Sequence, residues 1–97
     1  MKTCEALNVP GWQGGCLREF KQVLVRAWFN VFGPRCLFCG REMKIKAKQS
    51  DLRKATIDHI NARCFGGDDA PSNLQVICQR CNHSKSRAEA SAIRYLG

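Results

Sequence analysis

Apolar residues recur at intervals of three and four between residues 16 and 32, and this spacing predicts an amphipathic helix. Basic and polar residues lie between the apolar positions, and Gly33-Pro34 ends the pattern. We expect the apolar stripe to pack on the rest of a domain, although the same stripe would also serve a homodimer. Its members are Leu17, Phe20, Leu24, Ala27, Trp28, Val31 and Phe32.

Shorter patterns predict the remaining elements. Residues 1–15 are loop-like because glycine and proline interrupt them. Residues 53–60 alternate as a short strand does, and 74–77 form a second apolar run of strand length. The segment between them is rich in Gly, Asp and Pro and predicts a loop, whereas residues 79–96 predict a helix. The order helix, strand, loop, strand, helix indicates a small α+β domain.

Two Cys-x-x-Cys pairs enclose the two predicted strands. They are Cys36 with Cys39 and Cys78 with Cys81, a ligand count and type that suit a tetrahedral structural Zn²⁺ site. The chain has seven cysteines, an odd number, and no signal peptide is apparent, so we favour zinc over a disulfide framework. The remaining cysteines are predicted to be free thiols without an assigned role: Cys4, Cys16 and Cys64.

The length of the chain indicates its domain size, and its charge indicates the kind of partner. Its 97 residues are enough for one domain with a limited core, which a bound metal would reinforce. Sixteen Lys and Arg against eight Asp and Glu give a formal charge of +8. This charge favours a polyanionic partner, DNA or RNA before an anionic membrane. No apolar run approaches the roughly 20 residues of a membrane span.

An ordered set of motifs carries a resemblance to a known family. The set runs Ile57-Asp58-His59-Ile60, Gly66-Gly67, Asn73-Leu74 and Cys78-x-x-Cys81-Asn82-x-x-Lys85-Ser86, preceded by the first cysteine pair. In this order and spacing the chain resembles the HNH endonucleases. The resemblance implies one domain over residues 1–97, in which 34–96 form a zinc-stabilised ββα-metal (His-Me finger) unit behind an additional N-terminal helix.

The same resemblance assigns roles that suit the chemistry of the residues. His59 is expected to act as general base, since an imidazole suits proton transfer at neutral pH. Asp58 is expected to bind a catalytic Mg²⁺ or Mn²⁺, a cation that prefers oxygen ligands. The second ligand is expected to be Asn82, with the adjacent His83 as the alternative. Asn73 is expected to orient the strand that carries His59 rather than to react.

The implied function is a divalent-metal-dependent DNA endonuclease that nicks DNA, or cuts both strands as a homodimer or in a larger DNA-processing complex. The alternatives are a non-catalytic zinc-ribbon-like nucleic-acid-binding module and an accessory subunit of a viral DNA packaging or recombination complex. The resemblance further implies a bacterial cytoplasm and a phage or mobile-element gene. Phosphate contacts are expected from Arg53, Lys54, Arg63, Arg80, Lys85 and Arg87.

Overall fold

A computed structural model describes residues 2–96 of the chain, and it describes the side chains up to Ala92. Two helices and a two-stranded sheet form the fold, together with short 3-10 turns. The elements in chain order are α1 (Leu17–Phe32), β1 (Ala55–His59), β2 (Leu74–Cys78) and α2 (Gln79–Leu96). Both helices and both strands therefore lie where the apolar patterns predict them. Neither helix is long and apolar enough to cross a bilayer.

The strands β1 and β2 pair in antiparallel register, with Ala55 opposite Cys78 and His59 opposite Leu74. All five residues of β2 are buried. α2 begins at Gln79, directly after the last residue of β2. The chain thus forms a ββα unit in which the end of β2 and the first turn of α2 carry the second cysteine pair, and β1 carries Asp58 and His59.

α1 packs its apolar face on this unit, but the buried face differs from the predicted stripe at Val25 and Val31. Leu24, Val25 and Trp28 are buried, whereas Val31 is 51 % exposed. At 100° per residue, Val31 points within about 20° of buried Leu24 but lies almost two turns further along the helix. The prediction for Val31 was wrong, because the core does not cover this position along the helix. Gly33 ends α1 at a φ of 86°, a conformation that favours glycine.

The N-terminal segment is loop-like apart from one 3-10 turn (Cys4–Ala6), but it belongs to the core. Cys4, Leu7, Val9 and Trp12 are all buried, and Trp12 Nε1 donates a hydrogen bond to the carbonyl oxygen of Gly15. Burial raises the pKa of the Cys4 thiol to about 12. Cys4 is therefore an unreactive core residue, because nucleophilic and metal-binding cysteines act as thiolates.

Candidate functional site

The two cysteine pairs converge on one point although they are separated by the whole of β1 and the following loop. The Sγ atoms of Cys36, Cys39, Cys78 and Cys81 all lie within 4.8 Å of one another. The Cys39 and Cys78 sulfurs are 3.7 Å apart, which is too long for a disulfide of about 2.05 Å. Four sulfurs at about 2.3 Å from one Zn²⁺ in a tetrahedron stand roughly 3.8 Å apart. The cluster is therefore compatible with a structural zinc.

The local backbone also favours ionisation of one sulfur of this cluster, that of Cys36. The backbone N–H of Cys78 donates to Cys36 Sγ over 3.5 Å. Burial opposes ionisation of Cys36, but hydrogen bonds from the backbone of Cys78, Cys39 and Phe38 lower the pKa of its thiol to about 7. Gly40 follows the first pair at a φ of 72° and turns the chain back, so that Cys36 N–H bonds the Arg41 carbonyl. Zinc binds thiolates, so this turn suits a metal.

Asp58 and His59 meet at the open end of β1. Successive side chains of a strand point to opposite faces, but His59 is the last residue of β1 and is not bound by this rule. Its side chain lines the same surface groove as Asp58. The groove has a volume of about 290 Å³. Its polar lining comes from β1, the following turn and α2: Asp58, His59, Arg63, Asn82, Lys85, Ser86 and Glu89.

Asp58 is buried and its carboxylate is held from two sides. Gln75 lies directly opposite it in the sheet register, and Gln75 Nε2 donates to Asp58 Oδ2 over 2.8 Å. The ammonium of Lys85 lies 3.4 Å from Asp58 Oδ1. A buried carboxylate requires such partners, because an unpaired charge away from water is costly.

Lys85 connects α2 to the end of β1. Its Nζ donates to the carbonyl oxygen of His59 over 2.7 Å and to Glu89 Oε2 over 3.0 Å. Partial burial opposes its charge, but the bond to Glu89 and the charges of Asp58 and Glu89 raise the pKa of Lys85. Lys85 was predicted as a phosphate contact. In this structure its ammonium bonds the protein's own carboxylates within the groove.

Asn82 lines the groove. The Thr56 hydroxyl donates its only proton to the Ile77 carbonyl, so it can only accept from Asn82. Asn82 Nδ2 accordingly donates to Thr56 Oγ1 over 2.9 Å, and its Oδ1 has no hydrogen-bond partner among the described residues. His83 is exposed and is not among the residues that line the groove. The two neighbours thus differ as expected for residues about 100° apart on a helix.

Asn73 ties the loop between the strands to the end of β1. Its Oδ1 accepts from the Asn61 N–H, and its Nδ2 donates to the carbonyl oxygens of Asn61 and Asp68. The backbone of Asn73 also accepts from Ile60 N–H. Gly67 lies so close in this loop that a Cβ there would overlap the Asn61 carbonyl oxygen. The loop path therefore requires this glycine and is held by the Asn73 amide.

The carboxylate of Asp69, which lies in the same loop, contacts the His59 ring. His59 Nε2 is 2.6 Å from Asp69 Oδ1, and the other carboxylate oxygen of Asp69 is 2.8 Å from Arg63 Nη2. The contact of Asp69 could not be predicted from the sequence, because nothing in the spacing of a loop Asp indicates which ring it meets. Gln75 does carry a signal in the sequence, since it is the one polar residue in the otherwise apolar strand β2.

The predicted phosphate contacts do not share one groove. Arg63 lines the groove of His59, whereas Arg53 and Arg80 line a separate depression of about 370 Å³ with Arg41 and Lys44. The predicted contacts Lys54 and Arg87 lie elsewhere: Lys54 borders a third groove, and Arg87 is exposed on α2.

The third groove adjoins that of His59. It has a volume of about 340 Å³, and the two grooves share Ile57 and Asn82 in their linings. Its basic residues are Lys54 and two exposed residues of α1, Arg18 and Lys21, which sequence analysis did not single out. A positively charged path therefore leads from α1 to the groove that contains His59.

A comparison with protein-family models identifies one match, to the family described as HNH endonuclease, over residues 36–88. The matched segment is more than half of the 97 residues, and it begins at the first cysteine of the Cys4 cluster and contains Asp58, His59 and Asn82. Searches of curated proteins and of solved structures found no significant match.

Proposed function

Since the chain belongs to the HNH endonuclease family, we propose that it is a metal-dependent endonuclease that hydrolyses phosphodiester bonds of DNA. The observation that carries the proposal is the presence of Asp58, His59 and Asn82 in one groove. A binding module would need neither a buried carboxylate nor an imidazole at this position. The adjoining Cys4 cluster, with its proposed zinc, would hold the start of α2, and hence Asn82, in place.

In the proposed mechanism, His59 removes a proton from a water molecule and the water oxygen attacks phosphorus in line with the 3′ oxygen. Asp58 and Asn82 provide the oxygen ligands that Mg²⁺ or Mn²⁺ prefers. Such a cation, when bound, would neutralise charge on the phosphate and on the departing oxygen. Asn73 orients the loop after β1. The products are a 5′-phosphate and a 3′-hydroxyl, and one site makes one cut at a time.

Nicking of a supercoiled plasmid tests this function. With Mg²⁺ or Mn²⁺ we expect the wild-type protein to convert supercoiled plasmid to open circles, and we expect EDTA to stop the conversion. The zinc content of the same sample must be measured, because loss of zinc would unfold the domain and imitate the effect of EDTA. A folded, zinc-loaded protein that binds the plasmid but never nicks it with either cation would contradict the proposal.

Asn82 is proposed as the second ligand of the catalytic cation. We expect Asn82→Ala to weaken Mn²⁺ binding by at least about tenfold, because it removes an amide oxygen from the groove that Asp58 also lines. His83→Ala is the matched control and should bind Mn²⁺ like the wild type, since His83 is exposed outside the groove. Titration of Mn²⁺ by electron paramagnetic resonance measures both. If His83→Ala weakened Mn²⁺ binding and Asn82→Ala did not, the ligand would be His83.

The basic groove beside α1 is proposed to hold the phosphate backbone on its way to His59. We expect Arg18→Gln with Lys21→Gln to reduce the slope of log K against log salt by about 2, one for each lost phosphate contact. Arg26→Gln with Lys46→Gln is the matched control, because these exposed residues change the charge equally outside this groove. Binding of a labelled duplex at several salt concentrations provides the slopes, and equal slopes for the two variants would refute this path.

A further inference from the structure

The ring of His59 is held at one nitrogen by a carboxylate that is not one of the family motif residues. His59 Nε2 lies 2.6 Å from Asp69 Oδ1. Arg63 Nη2 bonds the other oxygen of the same carboxylate over 2.8 Å. The His59 and Asp69 side chains are only 21 % and 22 % exposed, so the contact is largely shielded from water. Among the described residues, Nδ1 of His59 takes part in no hydrogen bond.

The charge of Asp69 determines which ring nitrogen carries the proton. The hydrogen bond to His59 and the charge of Arg63 lower the pKa of Asp69, despite its partial burial. An ionised carboxylate only accepts hydrogen bonds, so its partner nitrogen must donate. In a neutral His59 the single ring proton is therefore on Nε2, and the lone pair is on Nδ1.

We infer that Asp69 is a positioning residue that holds neutral His59 in the Nε2–H tautomer, and that Arg63 orients the Asp69 carboxylate for this task. The inference rests on the proposed role of His59 as general base. In that step an O–H bond of water breaks and its proton binds Nδ1. The water oxygen forms a bond to phosphorus while the bond to the 3′ oxygen breaks. The imidazolium donates to Asp69 through Nε2 and then returns the Nδ1 proton to solvent, from which the 3′ oxygen takes one.

Arg63 determines how the amide of an Asp69→Asn variant is oriented. A guanidinium has donors only, so in Asp69→Asn it will keep the amide oxygen and turn the NH₂ group towards His59. His59 Nε2 must then accept, which moves the ring proton to Nδ1 and removes the lone pair that takes the water proton. We expect the plasmid-nicking kcat of Asp69→Asn to fall by roughly 10²–10⁴-fold with little change in KM.

Long-range ¹H–¹⁵N correlation NMR of the imidazoles reports the tautomer without any need for activity. The chain has two histidines, so His83→Gln assigns the His59 signals. Above the titration range of the ring, we expect Nε2–H in the wild type and Nδ1–H in Asp69→Asn. Adding Arg63→Ala to Asp69→Asn frees the amide to rotate and should restore part of the Nε2–H signal.

Asp68→Asn is the matched control. Asp68 is adjacent and exposed, and its Oδ1 accepts only from the backbone N–H of Ala70, an acceptor role that Asn retains. This variant should keep the wild-type tautomer and kcat. A wild-type His59 in the Nδ1–H form would overturn the inference. So would an Asp69→Asn variant that keeps either the Nε2–H form or the wild-type kcat. A wild-type protein that shows the Nε2–H form but never nicks DNA would refute the proposed function and leave the Asp69 contact established.

Discussion

His59→Ala is expected to reduce the rate of metal-dependent plasmid nicking by roughly 10²–10⁴-fold, the usual contribution of a general base. His59 carries the only imidazole among the described residues that line the groove, and imidazole is the side chain whose unperturbed pKa best suits proton transfer near neutral pH. DNA binding should persist, because the substitution leaves Arg18, Lys21 and Lys54 unchanged.

The assay for His59→Ala is the time course of open-circle formation, with binding of the same plasmid measured in parallel. His83→Ala is the control, since it removes the other histidine from an exposed site. Nicking by His59→Ala at the wild-type rate would exclude His59 as the base. Equal binding and equal absence of nicking in wild type and variant would instead indicate a binding module.

We expect Cys78→Ser to unfold the domain. Cys78 is 3 % exposed and lies where β2 joins α2, with its sulfur 3.7 Å from that of Cys39. A structural Zn²⁺ contributes on the order of 10–16 kcal/mol in small zinc domains. A domain has only about 5–15 kcal/mol of net stability, so weakening such a site should leave the chain largely unfolded. Loss of activity in this variant would follow from unfolding and not from a changed active site.

Zinc stoichiometry and thermal unfolding followed by circular dichroism test this expectation. Cys64→Ser is the matched control, because Cys64 is exposed, lies outside the Cys4 cluster and should keep zinc and the wild-type Tm. A Cys78→Ser protein that retains one zinc per chain and a cooperative transition at the wild-type Tm would contradict a structural role for the cluster.

The first turn of α2 takes part in both the Cys4 cluster and the groove proposed for catalysis. Cys81 and Asn82 are neighbours in the first turn of α2, one in the Cys4 cluster and the other in the groove with Asp58. A metal on the cluster would therefore fix the amide that is proposed to hold the catalytic cation. We expect zinc removal to abolish Mn²⁺ binding, whereas the loss of Mn²⁺ should leave the zinc and the fold intact.

Local patterns in the sequence determined the elements and the chemistry they carry. Apolar periodicity predicts α1, β1 and α2, because side-chain direction repeats every 3.6 residues in a helix and every second residue in a strand, and a short apolar run predicts β2. The paired x₂ spacing gives the Cys4 cluster, and the motif gives the order Asp58, His59, Asn82 that the groove assembles. The helices, the strands and each Cys-x-x-Cys pair depend on residues close together in the chain, which is why they could be predicted. That the two pairs converge, and that Asn82 shares a groove with Asp58 and His59, followed only from the family resemblance.

Only the tertiary structure decided which side chains meet across elements. Gln75 reaches Asp58 through the register of the sheet, and Asp69 reaches His59 through a loop whose path depends on Asn73 and a glycine. Strand register, loop path and the part of α1 that the core covers are set by packing of the whole core. No local spacing encodes them. The sequence thus identified the groups that we propose for hydrolysis, and the fold determined their partners, their orientation and the basic groove beside them.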